Sequence, residues 1–166
     1  CPARIGSGRV EASCSSVSPA KTKYWKGTSI VTFEKTDRNQ IRRVPQRGHY
    51  DRETVYAILD AGFLCHVGFV INEQPFVIPT LYGRDGETIY LHGSAASRML
   101  NRLAEGIPAC LTVTHLDGLV LARSAFRHSM NYRSVVVFGT ATAATGAVKE
   151  RGLFRISEQL LKGRWD

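Results

Sequence analysis

Three β-rich apolar segments follow one another between residues 63 and 92, separated only by short turn sequences. They cover residues 63–71, 76–82 and 88–92. The turns contain Asn72-Glu73-Gln74-Pro75 and Gly83-Arg84-Asp85-Gly86, and Asp-Gly is a favoured dipeptide of two-residue hairpins. Turns this short leave no room for a crossover helix, so the pattern predicts consecutive antiparallel strands.

Three helix patterns accompany these strands. Val55, Ile58 and Leu59 recur at helical spacing after Asp51, a residue suited to the N-cap position. The second helix is predicted over residues 94–105, with Ser94 as the N-cap and an apolar stripe of Met99, Leu100 and Leu103. The third is predicted over residues 149–161, with an apolar stripe of Leu153, Ile156, Leu160 and Leu161.

Three further strand patterns complete the sequence. Asp117-Gly118 predicts another hairpin turn, with strands over residues 109–115 and 119–126 on either side of it. A run rich in valine predicts a central strand over residues 132–141. Strands and helices do not alternate, which disfavours a doubly wound fold. The pattern predicts a mainly β protein, a six-stranded antiparallel barrel with peripheral helices.

The positive charge of the chain is concentrated near its N-terminal end. The formal net charge is +8. Residues 1–48 carry ten Lys or Arg and three Asp or Glu, whereas residues 49–166 carry twelve and eleven. The barrel region is therefore nearly neutral, which disfavours nucleic acid as its partner. No uncharged stretch of the sequence is long enough for a membrane-spanning helix, so no membrane partner is expected.

We predict that residues 1–48 form a basic, mostly disordered arm and that residues 49–166 form the barrel domain. Residues 1–23 are rich in Ser, Gly and Ala, a composition typical of disorder. An extra strand is predicted over residues 28–33. Four cysteines without a regular framework favour a reducing, cytoplasmic location. The Arg and Ser content of the arm resembles a transit peptide, so organelle targeting is the alternative.

Common catalytic and metal-binding motifs are absent from the sequence. It has no Walker loop, no Gly-x-Ser-x-Gly, no His-Glu-x-x-His, and no Gly-x-Gly-x-x-Gly after a strand. The histidines and cysteines lack the spacing of a metal site. Cys65 and His66 are adjacent on a predicted strand, so their side chains face opposite ways. The sequence therefore predicts no metal site and assigns no catalytic residue.

A candidate anion site lies where a predicted strand meets a predicted helix. The segment reads His92-Gly93-Ser94-Ala95-Ala96-Ser97-Arg98. Glycine allows close approach of the backbone, and hydroxyls, helix N–H groups and a guanidinium all bind anions. An ordinary capping serine beside a surface arginine is the alternative interpretation.

Two other stretches are candidates for a binding cleft. Pro79 within a strand pattern indicates an edge or a bulge, where main-chain groups can bond a planar heterocycle. Thr80 and Tyr82 would add polar contacts, although an irregular edge strand without a ligand fits equally well. Arg133 and Ser134 form a polar start to an apolar strand, with solvated surface residues as the alternative.

Seven short motifs occur in an order typical of one protein family. They are Tyr50-Asp51-Arg52-Glu53-Thr54, Gly62-Phe63-Leu64-Cys65-His66-Val67-Gly68, Pro75-Phe76-Val77-Ile78-Pro79-Thr80-Leu81-Tyr82-Gly83, Tyr90-Leu91-His92-Gly93-Ser94, Ser97-Arg98, Asn131-Tyr132-Arg133-Ser134-Val135 and Gly163-Arg164-Trp165-Asp166. From about His49 onward, the chain resembles the pyridoxamine 5′-phosphate oxidase-like, FMN-binding split-barrel proteins. It is most similar to the branch that includes the 5-nitroimidazole resistance flavoproteins.

The resemblance implies a homodimer of split barrels with FMN bound in two clefts at the interface. Three sets of residues would bind the cofactor. The isoalloxazine edge would be lined by Ile78, Pro79, Thr80, Leu81 and Tyr82. The phosphate would be held by His92, Gly93, Ser94, Ser97 and Arg98. The cleft would be completed by Arg133 and Ser134, from the same or the partner subunit.

Two departures from the family pattern bear on the site. Met99 follows Arg98 where many relatives have a lysine, so the phosphate would depend on one arginine, hydroxyls and backbone. Relatives also continue beyond the segment that ends at Asp166. The substrate-phosphate region of pyridoxamine phosphate oxidases is not found, so vitamin B6 synthesis is not predicted.

The sequence therefore predicts an FMN-dependent oxidoreductase that transfers electrons or hydride for an unknown small-molecule substrate. His66, His92 and Tyr82 are the candidates for proton delivery near the flavin. Two alternatives remain open. One is a haem- or deazaflavin-binding barrel, with His49, His66 or His128 as a haem ligand, and the other is a non-enzymatic nucleic-acid or anion-binding barrel.

Overall fold

The computed structural model describes residues 3–5, 11–16 and 32–165. The strands are β1 (Ala3–Ile5), β2 (Glu11–Ser16), β3 (Gly48–His49), β4 (Leu64–Ile71), β5 (Gln74–Asp85), β6 (Thr88–Leu91), β7 (Glu105–Val120) and β8 (Ser129–Ala143). The α-helices are α1 (Arg52–Asp60), α2 (Arg98–Ala104) and α3 (Gly146–Leu160), and short 3-10 helices cover Pro45–Arg47 and Ala125–Arg127.

The strands form an antiparallel barrel. They are ordered β1-β6-β5-β4-β7-β8, and β1 pairs with both β6 and β8. Strand β2 pairs with residues 133–138 of β8, ahead of the residues that pair with β1, and β3 pairs with β2. Closure through β1 gives β6 and the C-terminal part of β8 a neighbouring strand, which bonds edge N–H and C=O groups that would otherwise be unpaired. The prediction of a mainly β, six-stranded antiparallel split barrel with peripheral helices is confirmed.

The sixth barrel strand is not the one that the sequence predicted. Residues 117–118 form no hairpin turn; they continue strand β7, where the register shifts between Leu116 and Gly118. The chain reverses instead over residues 121–128. The predicted strand over residues 119–126 is therefore wrong. An Asp-Gly pair can be absorbed as a bulge when the neighbouring strand continues past it, and only the tertiary pairing decides between turn and bulge.

The sixth place is taken by β1, from a stretch for which composition predicted disorder. Within that stretch, residues 3–5 and 11–16 form strands that pair through their backbones with β6 and β8. Backbone pairing makes few demands on side chains, so a Ser-rich sequence can satisfy it. The predicted strand over residues 28–33 lies mostly outside the described residues, and Thr32 forms an isolated bridge with Asp51.

The core fills the barrel and the space beneath the helices. Val55, Ile58 and Leu59 of α1 are buried, as are Met99, Leu100 and Leu103 of α2, which confirms both predicted apolar stripes. No helix among residues 32–165 has the length and apolar character needed to cross a bilayer.

Helix α3 packs through glycine rather than through the predicted leucine stripe. Leu160 and Leu161 are exposed, and Ile156 is the buried member of that stripe. A β-carbon on Gly83 would lie 2.5 Å from the backbone nitrogen of Ile156. The backbone of α3 therefore lies directly against β5.

Candidate functional site

The loop between β6 and α2 is a compact turn held by its own hydrogen bonds. The Ser94 hydroxyl accepts the Ala96 N–H at 3.2 Å, and the Ser97 N–H donates to the Ser94 carbonyl at 2.9 Å. Ser97, not the predicted Ser94, is the N-cap of α2, and its hydroxyl accepts the Leu100 N–H at 3.3 Å. The side-chain amide of Asn101 donates to the Ala95 carbonyl at 3.2 Å.

Arg98 stands at the end of this loop and faces strand β5. Its guanidinium lies over the Phe76 ring, 4.5 Å from the centroid. None of the ion pairs found among residues 32–165 includes Arg98. His92, Ser94 and Arg98 are exposed, and the segment from 88 to 104 contains no carboxylate side chain. Hydroxyls and an unneutralised guanidinium are a donor set that fits a phosphate group.

Within the described part of the chain, the stretch of β5 beside this loop has a strand partner on only one side. Residues 74–81 pair with β4 in continuous register, Pro79 opposite His66 and Thr80 opposite Cys65. Pairing with β6 starts only at Tyr82, which lies opposite Leu91. Pro79 therefore marks an edge rather than a bulge, because proline lacks the N–H that a second ladder would require.

The loop and the edge of β5 lie side by side. Leu91, just before the loop, pairs with Tyr82, and Arg98, at its end, stacks on Phe76. The loop thus follows β5 from Tyr82 to Phe76. The structure brings together the two largest predicted site segments, Ile78, Pro79, Thr80 and Leu81 with His92, Gly93, Ser94, Ser97 and Arg98.

The side chain of Tyr82 belongs to the core. It is fully buried, and its hydroxyl donates to the main-chain oxygen of Leu59. Burial raises the pKa of Tyr82 above its ordinary value of 10.0. The buried hydroxyl, already donating to a carbonyl, is poorly placed to deliver a proton.

Arg133 and Ser134 lie three strands away from β5 in the sheet of this chain. They lie on β8, and β7 and β4 stand between β8 and β5, a distance of about 14 Å at ordinary strand spacing. Arg133 forms a two-nitrogen ion pair with Asp117, with contacts of 2.8 to 3.1 Å. Hydrogen bonds from Arg133 lower the pKa of Asp117 below its ordinary value.

The histidines singled out from the sequence are dispersed. His66 is exposed on the outer face of β4, opposite Thr112. The His128 Nδ1 atom accepts the Ala122 N–H at 3.0 Å, and His49 Nδ1 lies 3.9 Å from a carboxylate oxygen of Asp51. The described part of the chain holds no cluster of three His, Cys, Asp or Glu able to bind a metal ion.

Sequence reasoning missed Phe76 as a neighbour of the anion loop. Phe76 is one of several aromatic residues in apolar strands, and spacing alone cannot show that an arginine 22 positions later stacks on it. The contact arises because β6 returns antiparallel to β5 and the following loop brings Arg98 back to Phe76.

The molecule is a small antiparallel split barrel in which the candidate anion loop, residues 92–98, lies beside residues 74–81 of β5, an edge without a second described strand partner. The chain belongs to the pyridoxamine 5′-phosphate oxidase family, because residues 51–166 match the model of that family.

Solved structures agree with this assignment. The flavocytochrome Anf3 from Azotobacter vinelandii is 44% identical, with a TM-score of 0.71, over 78% of this chain and 61% of that chain. The FAD and heme binding protein from Mycobacterium smegmatis is 38% identical, with a TM-score of 0.65, over 69% of this chain and 56% of that chain. A Bacteroides thetaiotaomicron structure named for 5-nitroimidazole antibiotic resistance is 22% identical, with a TM-score of 0.58, over 70% of each chain.

These similarities differ in what they show. At 22% identity the third structure shows the fold alone. This chain spans less than two thirds of the length of the two flavin- and haem-named structures. No curated protein sequence matches it.

Proposed function

We propose that this protein binds a flavin beside strand β5 and transfers electrons or hydride through it. The observation that carries the proposal is the position of the His92–Arg98 loop along the unpaired edge of β5. One segment offers donors for a phosphate, and the other offers main-chain groups to a planar ring. Family membership and the two solved structures named for flavin support the same function.

Each segment has a distinct task in this proposal. Main-chain groups of Ile78, Pro79, Thr80 and Leu81 orient the isoalloxazine edge, while Ser94, Ser97 and Arg98 bind the phosphate. Gly93 keeps the loop close to α2, since a β-carbon there would lie 3.2 Å from Leu100 Cδ1. The flavin supplies the redox chemistry, and the protein orients it and limits its contact with water.

FMN is the flavin that the sequence motifs favour, and FAD is the alternative, because one of the similar structures is named for FAD. The donor set of the loop is compatible with both, since each carries a phosphate on the ribityl chain. Extraction of the bound flavin and chromatography against both standards distinguishes them.

We further propose a homodimer in which Arg133 and Ser134 contribute to the cleft of the partner subunit. Among the residues that the structure describes, residues 117–120 of β7 and 129–132 of β8 pair only with each other. This ribbon and its loop expose large apolar side chains, and isolated two-stranded ribbons are marginally stable. The large apolar side chains of this ribbon and loop that are more than half exposed are Leu116, Leu119, Leu121, Phe126 and Met130.

The first experiment is an absorbance spectrum of the purified protein, followed by titration with FMN and FAD. We expect flavin bands at about 370 and about 450 nm. Arg98→Ala should weaken FMN binding at least tenfold, about the value of one charge-assisted hydrogen bond. Arg102→Ala is the matched control, because Arg102 lies on the same helix but is paired with Glu105 at 2.6 Å. A protein that takes up neither flavin would refute the proposal.

The dimer is tested by the mass of the particle in solution. We expect two chains per particle for the wild type and a shift towards one chain for Phe126→Ser combined with Leu119→Ser. Val148→Ser, on an exposed position of α3, is the control. A wild-type protein of single-chain mass would contradict this part of the proposal.

A flavocytochrome, with haem in addition to flavin, is the second candidate. One similar structure is named as a FAD and heme binding protein and the other as a flavocytochrome, and both names favour this candidate. His66 is exposed on the outer face of β4, and His128 uses Nδ1 for a main-chain hydrogen bond. A Soret band that is lost in His66→Ala or in His128→Ala would identify the ligand, and a haem-free spectrum after haem supplementation would exclude this candidate.

A further inference from the structure

We infer that Phe76 is a positioning residue: its ring holds the Arg98 guanidinium in place for the phosphate and thereby sets the preference for phosphorylated flavins over riboflavin. This inference rests on the proposed flavin function and assigns a role to a residue outside the predicted site.

The stack beneath Arg98 reaches into the barrel core. The guanidinium lies 4.5 Å from the Phe76 centroid. The Phe76 ring in turn stacks on Phe69, with centroids 5.5 Å apart and planes inclined by 17°. Phe69 is 4% exposed. The exposed Arg98 side chain is therefore supported by a partly buried ring that stacks on a buried one, which reduces the conformational freedom it would lose on binding.

The type of support matters because it leaves the donors of Arg98 available. A ring contacts the flat face of a guanidinium, whereas a carboxylate engages the N–H groups in its plane. Three other stacked arginines, Arg84, Arg52 and Arg155, have both kinds of partner. Arg84 lies over Tyr56 and pairs with Asp60.

Like Arg84, both Arg52 and Arg155 have an aromatic ring and a carboxylate as partners. Arg52 lies over Phe33 and pairs with Glu87, and Arg155 lies over Phe154 and pairs with Asp85. Arg98 has the ring and, among residues 32–165, no carboxylate partner. The arrangement orients the cation without neutralising it, which suits an arginine that must bind an incoming phosphate.

The inference is tested by a double-mutant cycle read out as a ratio of affinities. Dissociation constants for FMN and riboflavin are measured for the wild type, Phe76→Leu, Arg98→Ala and the double variant. We expect Phe76→Leu to lower the preference for FMN about fivefold, the usual value of one exposed cation–π contact, with riboflavin affinity unchanged. In the Arg98→Ala background the same change should leave the ratio unaltered.

Conservative variants separate positioning from folding. Phe76→Tyr keeps the aromatic face and should retain the wild-type ratio, whereas Phe76→Met keeps volume without the face and should lose it. If Phe76→Leu does not fold, Phe76→Met takes its place in the cycle. The inference would be overturned if Phe76→Leu and Phe76→Met kept the wild-type ratio of FMN to riboflavin affinity while Arg98→Ala lost the preference for FMN. That result would leave the flavin function intact. Failure of the wild type to bind either flavin would instead overturn the function itself.

Discussion

The side-chain amide of Gln159 donates a 2.9 Å hydrogen bond to the main-chain oxygen of Leu59, a residue 100 positions earlier in the chain. The same amide donates to the Gly62 oxygen at 2.6 Å, and the Gln159 carbonyl oxygen accepts the Arg84 N–H at 3.2 Å. Leu59 also accepts the Tyr82 hydroxyl. One side chain of α3 therefore joins the end of α1 to the turn before β4 and to β5.

Gln159→Ala should destabilise the fold by about 1–2 kcal/mol, because main-chain groups of three residues lose a partner. Urea denaturation measures the change in the free energy of unfolding. Glu150→Ala, at an exposed position of the same helix, should change it by less than about 0.5 kcal/mol. Equal changes in the free energy of unfolding for the two substitutions would show that the hydrogen bonds of Gln159 do not stabilise the fold.

Gly83→Ala should separate α3 from the barrel. A β-carbon at residue 83 would lie 2.5 Å from the Ile156 nitrogen and 2.6 Å from the Arg155 carbonyl carbon, and backbone cannot move aside as a side chain can. We expect a loss of about 1–3 kcal/mol. At Gly118 a β-carbon meets nothing within 4 Å, so Gly118→Ala is the control. A melting temperature equal to that of the control would contradict the close packing of α3.

Asp85 should make stability depend on acid pH. A hydrogen bond from Arg151, together with the charge of Arg155, holds the pKa of Asp85 below its ordinary value of 3.8. A carboxylate with a lowered folded-state pKa contributes stability above its unfolded pKa, and this contribution is lost as the pH falls through the folded value.

Asp85→Asn should therefore be less stable than the wild type at pH 7, and the difference should shrink as the pH falls below 3.8. Urea midpoints across this range provide the measurement, with Glu150→Gln as a charge-matched control on an exposed carboxylate. A difference that stays constant down to pH 2 would argue against the ion pair.

Cys65 should resist alkylation in the folded protein. It is fully buried, its thiol donates to the Thr80 carbonyl at 3.5 Å, and burial raises the pKa of the Cys65 thiol to about 12. Since the thiolate is the reactive form, Cys65 should react with iodoacetamide only after unfolding. Cys110, which is half-buried, should react earlier in site-resolved mass spectrometry. Labelling of Cys65 at the rate seen in urea would show that this part of the barrel opens.

The helix patterns were predictable where local rules agree with tertiary packing. Asp51 caps α1 as expected, accepting the Thr54 N–H at 2.8 Å, and the apolar stripe of α1 is buried. Gly83 and Ile156 show the limit. The sequence offered leucines at helical spacing in α3, but the contact is made by backbone against backbone, which no pattern of side-chain hydrophobicity encodes.

The sequence by itself determined the antiparallel class of the fold, the placement of the three helices within a few residues, and the segments of the candidate site. Short turns and apolar periodicity are local properties, so they can be recognised from the order of residues in the sequence. Only the tertiary structure decided that Asp117-Gly118 is a bulge, that residues 3–5 close the barrel, and that Arg98 rests on Phe76. Each of these depends on which backbone or ring lies across the fold, and such long-range pairings are chosen by the packing of the whole chain.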